Sequence, residues 1–200
     1  MTRFVLIFIS LVLHPHVIHA LACSPGAYFD GIKCSLCPGG SFGERPGLTQ
    51  PQCSGKCAGG YFCPPGSTSA WQNACGRSVY FCPPGSASRS PVGDQYYTVV
   101  AAQDANRQVL GVSARNAAAE QKMCEPGYFC RLGIRYPCPA GSYGVSYGLT
   151  TSQCTGACPK GFYCPLATTH PPPCPPGTYG GQLGLVDASC SGPCPRGYYW

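Results

Sequence analysis

The chain has 200 residues, a formal net charge of +6 and an unusual stock of 17 cysteines, 27 glycines and 22 prolines, with only 10% charged residues. The basic residues stand singly rather than in runs, which argues against a nucleic-acid-binding strip. This composition leaves little material for an oily core. The fold class expected is small and disulfide-rich: tandem cysteine-rich modules of short irregular β-hairpins forming an elongated rod, with little regular secondary structure.

The first segment reads as a targeting signal. Arg3 precedes an apolar run from Phe4 to Leu13, and Ala20-Leu21-Ala22 offers the small residues a signal peptidase needs. Ten apolar residues are too few to span ~30 Å of hydrocarbon as a helix. Residues 1–22 are therefore assigned to a signal peptide cut after Ala22, with Ala20 as the second choice. Cys23 then begins the mature chain, but Leu21 stands one place too late for a bacterial lipoprotein signal. No later stretch resembles a transmembrane span or a lipid-anchor tail. The expected location is secreted and extracellular, or the cell surface if the sequence is part of a longer anchored protein.

Residues 23–82 form the first cysteine-rich part. Its Cys37–Cys63 segment aligns without a gap on Cys138–Cys164 and Cys174–Trp200, and the identical columns are cysteine, proline, glycine and one leucine. Each copy begins with a Cys-Pro step leading to a glycine (Gly40, Gly141, Gly177), which is turn chemistry. Ser41-Phe42-Gly43, Ser142-Tyr143-Gly144 or Thr178-Tyr179-Gly180 follows, an aromatic suited to lying over a disulfide. Gly47-Leu48, Gly148-Leu149 or Gly184-Leu185 then turns the chain back toward a second cysteine, giving a small hairpin.

The cysteine intervals point to a pairing. A spacing of 16 recurs at Cys37/Cys53, Cys138/Cys154 and Cys174/Cys190, and one of six at Cys57/Cys63, Cys124/Cys130 and Cys158/Cys164. Cys75/Cys82 is one residue longer, and Cys23/Cys34 completes eight sequential bridges. A crosslink that must keep one geometry belongs across a constant interval, and each would contribute roughly 2–3 kcal/mol on the chain-entropy estimate. A crossed pattern, with neighbouring modules exchanging partners, remains the open rival. Cys194 is left over, because the column filled by Cys63 and Cys164 holds Trp200. Two readings of that column are open: a truncated or incomplete repeat, and a reactive thiol that joins two copies into a dimer.

Residues 83–123 form a cysteine-free insert. Gln95–Ala101 is rich in β-formers, and Arg107–Ser113 is its expected partner strand. Ala114–Lys122 is expected to add one or two helical turns. The insert is either a loop carrying a ligand site or a β-hairpin joining two cysteine-rich halves. Residues 124–200 form the second cysteine-rich part, its last repeat incomplete.

These motifs resemble the ephrin-receptor-like cysteine-rich repeat, within the broader group of growth-factor-receptor and tumour-necrosis-factor-receptor modules. The resemblance covers Cys34–Cys82 and Cys124–Trp200, somewhat over 60% of the chain. It implies a rod of small modules used for binding or as a spacer outside the cell. Trp200 in a cysteine column and the insert depart from the pattern.

Chemistry finds little purchase. Cys34-Ser35-Leu36-Cys37 is a lone Cys-x-x-Cys with no βαβ surroundings and no second knuckle, so structural disulfides are expected rather than a redox or zinc site. His170 lies in a proline-rich spacer without a partner acid, and Asn73-Ala74-Cys75 fits only the rare cysteine form of a glycosylation sequon. No cofactor, metal site or catalytic group is expected. The expected role is an extracellular binding or scaffold module for an unidentified protein or carbohydrate. The alternative is a secreted effector that inhibits a host enzyme through residues 83–123. The paired aromatics Tyr61-Phe62, Tyr128-Phe129, Phe162-Tyr163 and Tyr198-Tyr199 would either form exposed carbohydrate platforms or cover disulfides.

Overall fold

The computed structural model describes residues 22–76, 78–100 and 117–197. Residues 1–21 of the expected signal peptide 1–22, the strand expected over 107–113 and the pair Tyr198-Tyr199 lie outside those residues.

One local unit recurs throughout. In Pro38-Gly39-Gly40-Ser41 the Ser41 N–H donates to the Pro38 carbonyl at 3.1 Å and the Ser41 hydroxyl donates to the same oxygen at 2.7 Å. Gly40 sits at φ 87°, the third-position requirement of a type II turn. Its carbonyl then accepts the N–H of Cys57 at 2.9 Å, returning the chain to the next cysteine. Hydroxyl-to-proline bonds of 2.6 or 2.7 Å mark the same turn at Ser67, Ser86, Ser142, Thr168 and Thr178. Three of these follow Cys63, Cys82 and Cys164, outside the first halves of the aligned repeats.

The strands are short and pair only with their neighbours in sequence. β1 (Ala27–Phe29) pairs with β2 (Cys34–Leu36), β3 (Ser41–Phe42) with β4 (Gly55–Lys56), and β5 (Tyr61–Phe62) with β6 (Asn73–Ala74). β7 (Tyr80–Phe81) pairs with β8 (Ser90–Pro91), β9 (Tyr96–Val100) with β10 (Ala118–Met123), β11 (Tyr128–Arg131) with β12 (Ile134–Pro137), and β13 (Ser142–Tyr143) with β14 (Gly156–Ala157). Every pair is an isolated two-stranded antiparallel sheet, and the described residues contain no helix. Two-residue strands cannot persist on hydrogen bonds alone.

Disulfides supply what the strands lack. Eight are closed: Cys23–Cys34, Cys37–Cys53, Cys57–Cys63, Cys75–Cys82, Cys124–Cys130, Cys138–Cys154, Cys158–Cys164 and Cys174–Cys190. The arrangement is sequential, not crossed. The interior is largely sulfur, since Cys37, Cys63, Cys75, Cys82, Cys124, Cys130, Cys138, Cys158 and Cys164 are wholly buried. The one apolar cluster among the described residues is small: Cys57, Tyr61, Cys63 and Ala117, with Phe42 and Ala58 against it.

Phe42 packs against the cluster that holds Cys57 and Cys63, and a glycine presses on the sulfur of the preceding bridge. A Cβ at Gly43 would lie 2.8 Å from Cys37 Sγ, and one at Gly144 would lie 2.8 Å from Cys138 Sγ. Successive modules also interlock through the backbone. Gly43 N–H donates to Ser67 C=O and Gly66 N–H to Cys37 C=O, both at 2.9 Å. A side chain at Gly26 would meet the Gly66 carbonyl at 2.3 Å, so the turns nest only because glycine permits that approach.

The insert departs from expectation in two ways. Its first residues belong to the preceding half, because β8 pairs with β7 and Val92 N–H donates to Val79 C=O. The described partner of β9 is β10, with Tyr96 opposite Met123 and Val100 opposite Ala118, while Arg107–Ser113 lies outside the described residues. Residues 118–122 are extended where helical turns were expected. Burial explains the last point: Ala117, Ala118 and Ala119 are packed away, Ala119 within 3.2 Å of a Cβ placed at Gly59, and Cys82 N–H donates to Ala118 C=O. Tertiary contact overrides the helical preference of alanine here.

Candidate interaction surface

β9 and β10 join the two cysteine-rich parts. On one side lie the Ala118 contacts with Cys82. On the other, Cys124 N–H donates to Gln95 C=O, and Thr98 N–H donates to Gly133 C=O at 2.9 Å. Gly133 belongs to the β11–β12 turn, where Leu132 and Gly133 both take positive φ, 52° and 71°. That pattern is a two-residue type I′ turn, which normally calls for Asn-Gly. The turn backbone is pinned: Ser78 Oγ donates to Leu132 C=O at 3.0 Å, and a Cβ on Gly133 would collide with Ser78 O at 1.8 Å.

A charged and aromatic cluster closes the same junction. The Tyr97 hydroxyl on β9 donates to Glu125 Oε1 at 2.8 Å, and Arg135 on β12 pairs with that oxygen at 3.0 Å. The Arg135 guanidinium lies 5.1 Å from the Tyr97 ring centre and 4.5 Å from that of Tyr128. Burial pushes the Tyr97 hydroxyl up, and the bond to Glu125 adds to this. Burial would also raise Glu125, but its own backbone N–H, Tyr97 and Arg135 outweigh that effect and hold the carboxyl below the usual range. Arg135 keeps its proton more firmly than usual: burial opposes the charge, and Glu125 more than compensates.

The outer face of β11–β12 is apolar and open. Phe129 and Tyr136 stack with ring centres 5.4 Å apart. Leu132, Ile134 and Tyr136 remain 67%, 43% and 40% exposed. Beside them a cleft of about 640 Å³ is bounded by Asp94, Arg131, Leu132 and the Thr150–Gln153 segment. Contiguous exposed apolar surface with a polar rim is the ordinary mark of a contact site. This turn carries no strong signal in the sequence, because leucine at Leu132 replaces the asparagine that announces such a turn.

The residues singled out from the sequence fall elsewhere. Cys34 and Cys37 are bonded to Cys23 and Cys53, so the Cys-x-x-Cys is no dithiol. Cys194 is a half-buried free thiol. His170 is exposed, with Nδ1 3.2 Å from Thr169 Oγ1. The Asn73 amide donates to Phe62 C=O at 3.3 Å. The aromatic pairs do not behave alike: Tyr61 is buried, Tyr128 and Phe129 sit at the junction, and Phe162 is exposed. Among the described residues no cluster of histidine, cysteine or acid could hold a metal, and no helix is long and apolar enough to cross a membrane. No family model and no curated protein matches the chain.

Proposed function

We propose that the chain is a secreted or cell-surface protein of ephrin-receptor-like repeats acting as a non-catalytic extracellular binding and scaffold module. Its contact face is the outer side of β11–β12, and its ligand is an extracellular protein or carbohydrate. The observation that carries this reading is the set of eight bridges around an interior with almost no oil. Such an interior is stable only where thiols stay oxidised, outside the reducing cytosol. The leader-like segment and the repeat pattern support the same location. Both described strands of the insert, β9 and β10, are engaged with the cysteine-rich parts.

The test is expression of the full chain with its own leader in eukaryotic cells. Expected are accumulation in the medium, one titratable thiol, and binding to a member of an extracellular protein and glycan panel that Leu132→Asp or Tyr136→Asp abolishes. Retention inside the cell with reduced cysteines would overturn the location. Binding unchanged by both substitutions would overturn the face.

A further inference from the structure

The cleft beside the β11–β12 tip is walled by parts of the chain that are each held in place by other contacts. One wall is the tip itself, Arg131 and Leu132, tied down by the Cys124–Cys130 bridge and the pinned turn. The second is the segment Thr150–Gln153. Just before it Cys130 N–H donates to Leu149 C=O at 2.8 Å, and just after it Cys154 N–H donates to Thr151 C=O at 3.0 Å. Cys154 is in turn bonded to Cys138. The third wall is Asp94, in a turn closed by Tyr96 N–H on Gly93 C=O and by Gly93 N–H on Gln121 Oε1, both at 3.0 Å. At about 640 Å³ the cleft has the size of a small-ligand site, and its fixed walls lower the cost of binding.

Its polar groups are unspent. Asp94, Arg131, Thr150, Thr151, Ser152 and Gln153 are exposed, and among the described residues their side chains make no hydrogen bond or ion pair within the chain. The set is balanced in charge: one anion, one cation, three hydroxyls and an amide, with Leu132 and Phe129 as the apolar part of the lining. An anionic ligand would leave Asp94 opposed, and a cationic one would leave Arg131 opposed. A neutral polyol answers both, because neighbouring hydroxyls donate twice to a carboxylate and accept twice from a guanidinium. A peptide added as a further strand would need a free backbone edge. Near the tip those edges are taken, Cys130 N–H by Leu149 C=O and Gly133 C=O by Thr98 N–H.

We propose that this cleft binds a neutral oligosaccharide built of pyranose rings. Asp94 accepts from one pair of hydroxyls, Arg131 donates to another, and Thr150–Gln153 supply single hydrogen bonds between them. The C–H face of one ring rests on the apolar lining at Leu132 and Phe129. The proposal names the ligand class of the contact face on β11–β12 and rests on that reading.

The test titrates cellotriose, laminaritriose and triacetylchitotriose, at millimolar concentration, into the ¹⁵N-labelled full chain and follows amide chemical shifts. Saturable shifts at Arg131, Leu132 and Thr150–Gln153 are expected with at least one of them. Asp94→Ala and Gln153→Ala remove exposed side chains without internal partners, and Asp94→Ala should weaken that binding about tenfold. Trigalacturonic acid, which brings negative charge to Asp94, should bind about tenfold more weakly than the best neutral sugar or worse. Binding unchanged by both substitutions, or equal affinity for the acidic sugar, would overturn the proposal. So would a cleft that responds to none of the neutral sugars. If a protein partner is then still lost on Tyr136→Asp, only the ligand class falls and the face stands. If binding of that partner is unchanged by Tyr136→Asp and by Leu132→Asp, both readings fall.

Discussion

The repeat Cys138–Cys164 and the β9–β10 junction solve the same problem by different means. In the repeat, β13 and β14 contribute two residues each, and the Cys138–Cys154 and Cys158–Cys164 bridges hold what so short a ladder cannot. In the junction there is no cysteine. Five- and six-residue strands, three buried alanines and the Tyr97–Glu125–Arg135 cluster carry the connection. Crosslinks therefore serve where strands are too short, and packing serves where the chain must join two stapled bodies. The modules should resist heat and fail in reductant, whereas the junction should respond to single side chains.

The largest effect should come from removing a staple. Replacing Cys138 and Cys154 together by alanine should cost about 3 kcal/mol of unfolding free energy, read from guanidinium denaturation under non-reducing conditions. A loss under about 1 kcal/mol would mean that the backbone interlock alone holds the repeat. Next is Gly133→Ala. With φ at 71° and Ser78 O in the way, the backbone must move, and a loss of about 2–4 kcal/mol is expected. Hydrogen exchange should place that loss at the Thr98 amide, with the 138–164 amides still protected. Equal deprotection of both would erase the distinction between the two regions.

Arg135→Ala removes a half-exposed ion pair and two ring contacts, so about 1 kcal/mol is expected from thermal unfolding, with Arg135→Lys recovering part of it. Ala167→Gly runs the other way. Alanine holds φ 60° in a turn whose counterparts use glycine, and relief of that conformation should stabilise the second repeat by up to about 1 kcal/mol. The smallest effect concerns Asp30 in the β1–β2 turn. Bonds from the Ser35 hydroxyl and from the Lys33 and Ile32 amides lower its carboxyl from 3.8 to about 2. A folded value below the unfolded one stabilises above pH 3.8, and the contribution fades as pH falls toward 2. NMR titration of the Asp30 carboxyl should show the depressed midpoint, and Ser35→Ala should return it toward the ordinary value.

Much of the modular plan can be read from the residues. Cysteine intervals of 16 and six recur from repeat to repeat, and the bridges in the structure lie across those intervals. The turn at Gly40 is legible as well, since proline and glycine act on their own φ angles. The turns after Cys63, Cys82 and Cys164 are harder to recognise. Their distance to the next cysteine varies, and Ala167 stands where glycine is expected. Residues 118–122 do not show their strand in the sequence, because alanine's helical preference is local while the burial around them comes from Gly59 and Gly60, far away in sequence.

By itself the sequence determined the cysteine intervals, the turn chemistry and the module order, all of which act over a few residues through covalent geometry and backbone angles, while sequential and crossed bridging both stayed open. Only the tertiary structure decided that β10 is a strand, that Leu132-Gly133 forms a pinned turn beneath an open apolar face, and that successive turns nest backbone to backbone against bare glycines. Those features depend on which backbone groups meet across tens of residues. Residue type does not encode such meetings where the contact is between glycine and a carbonyl, because neither partner contributes a side chain to recognise.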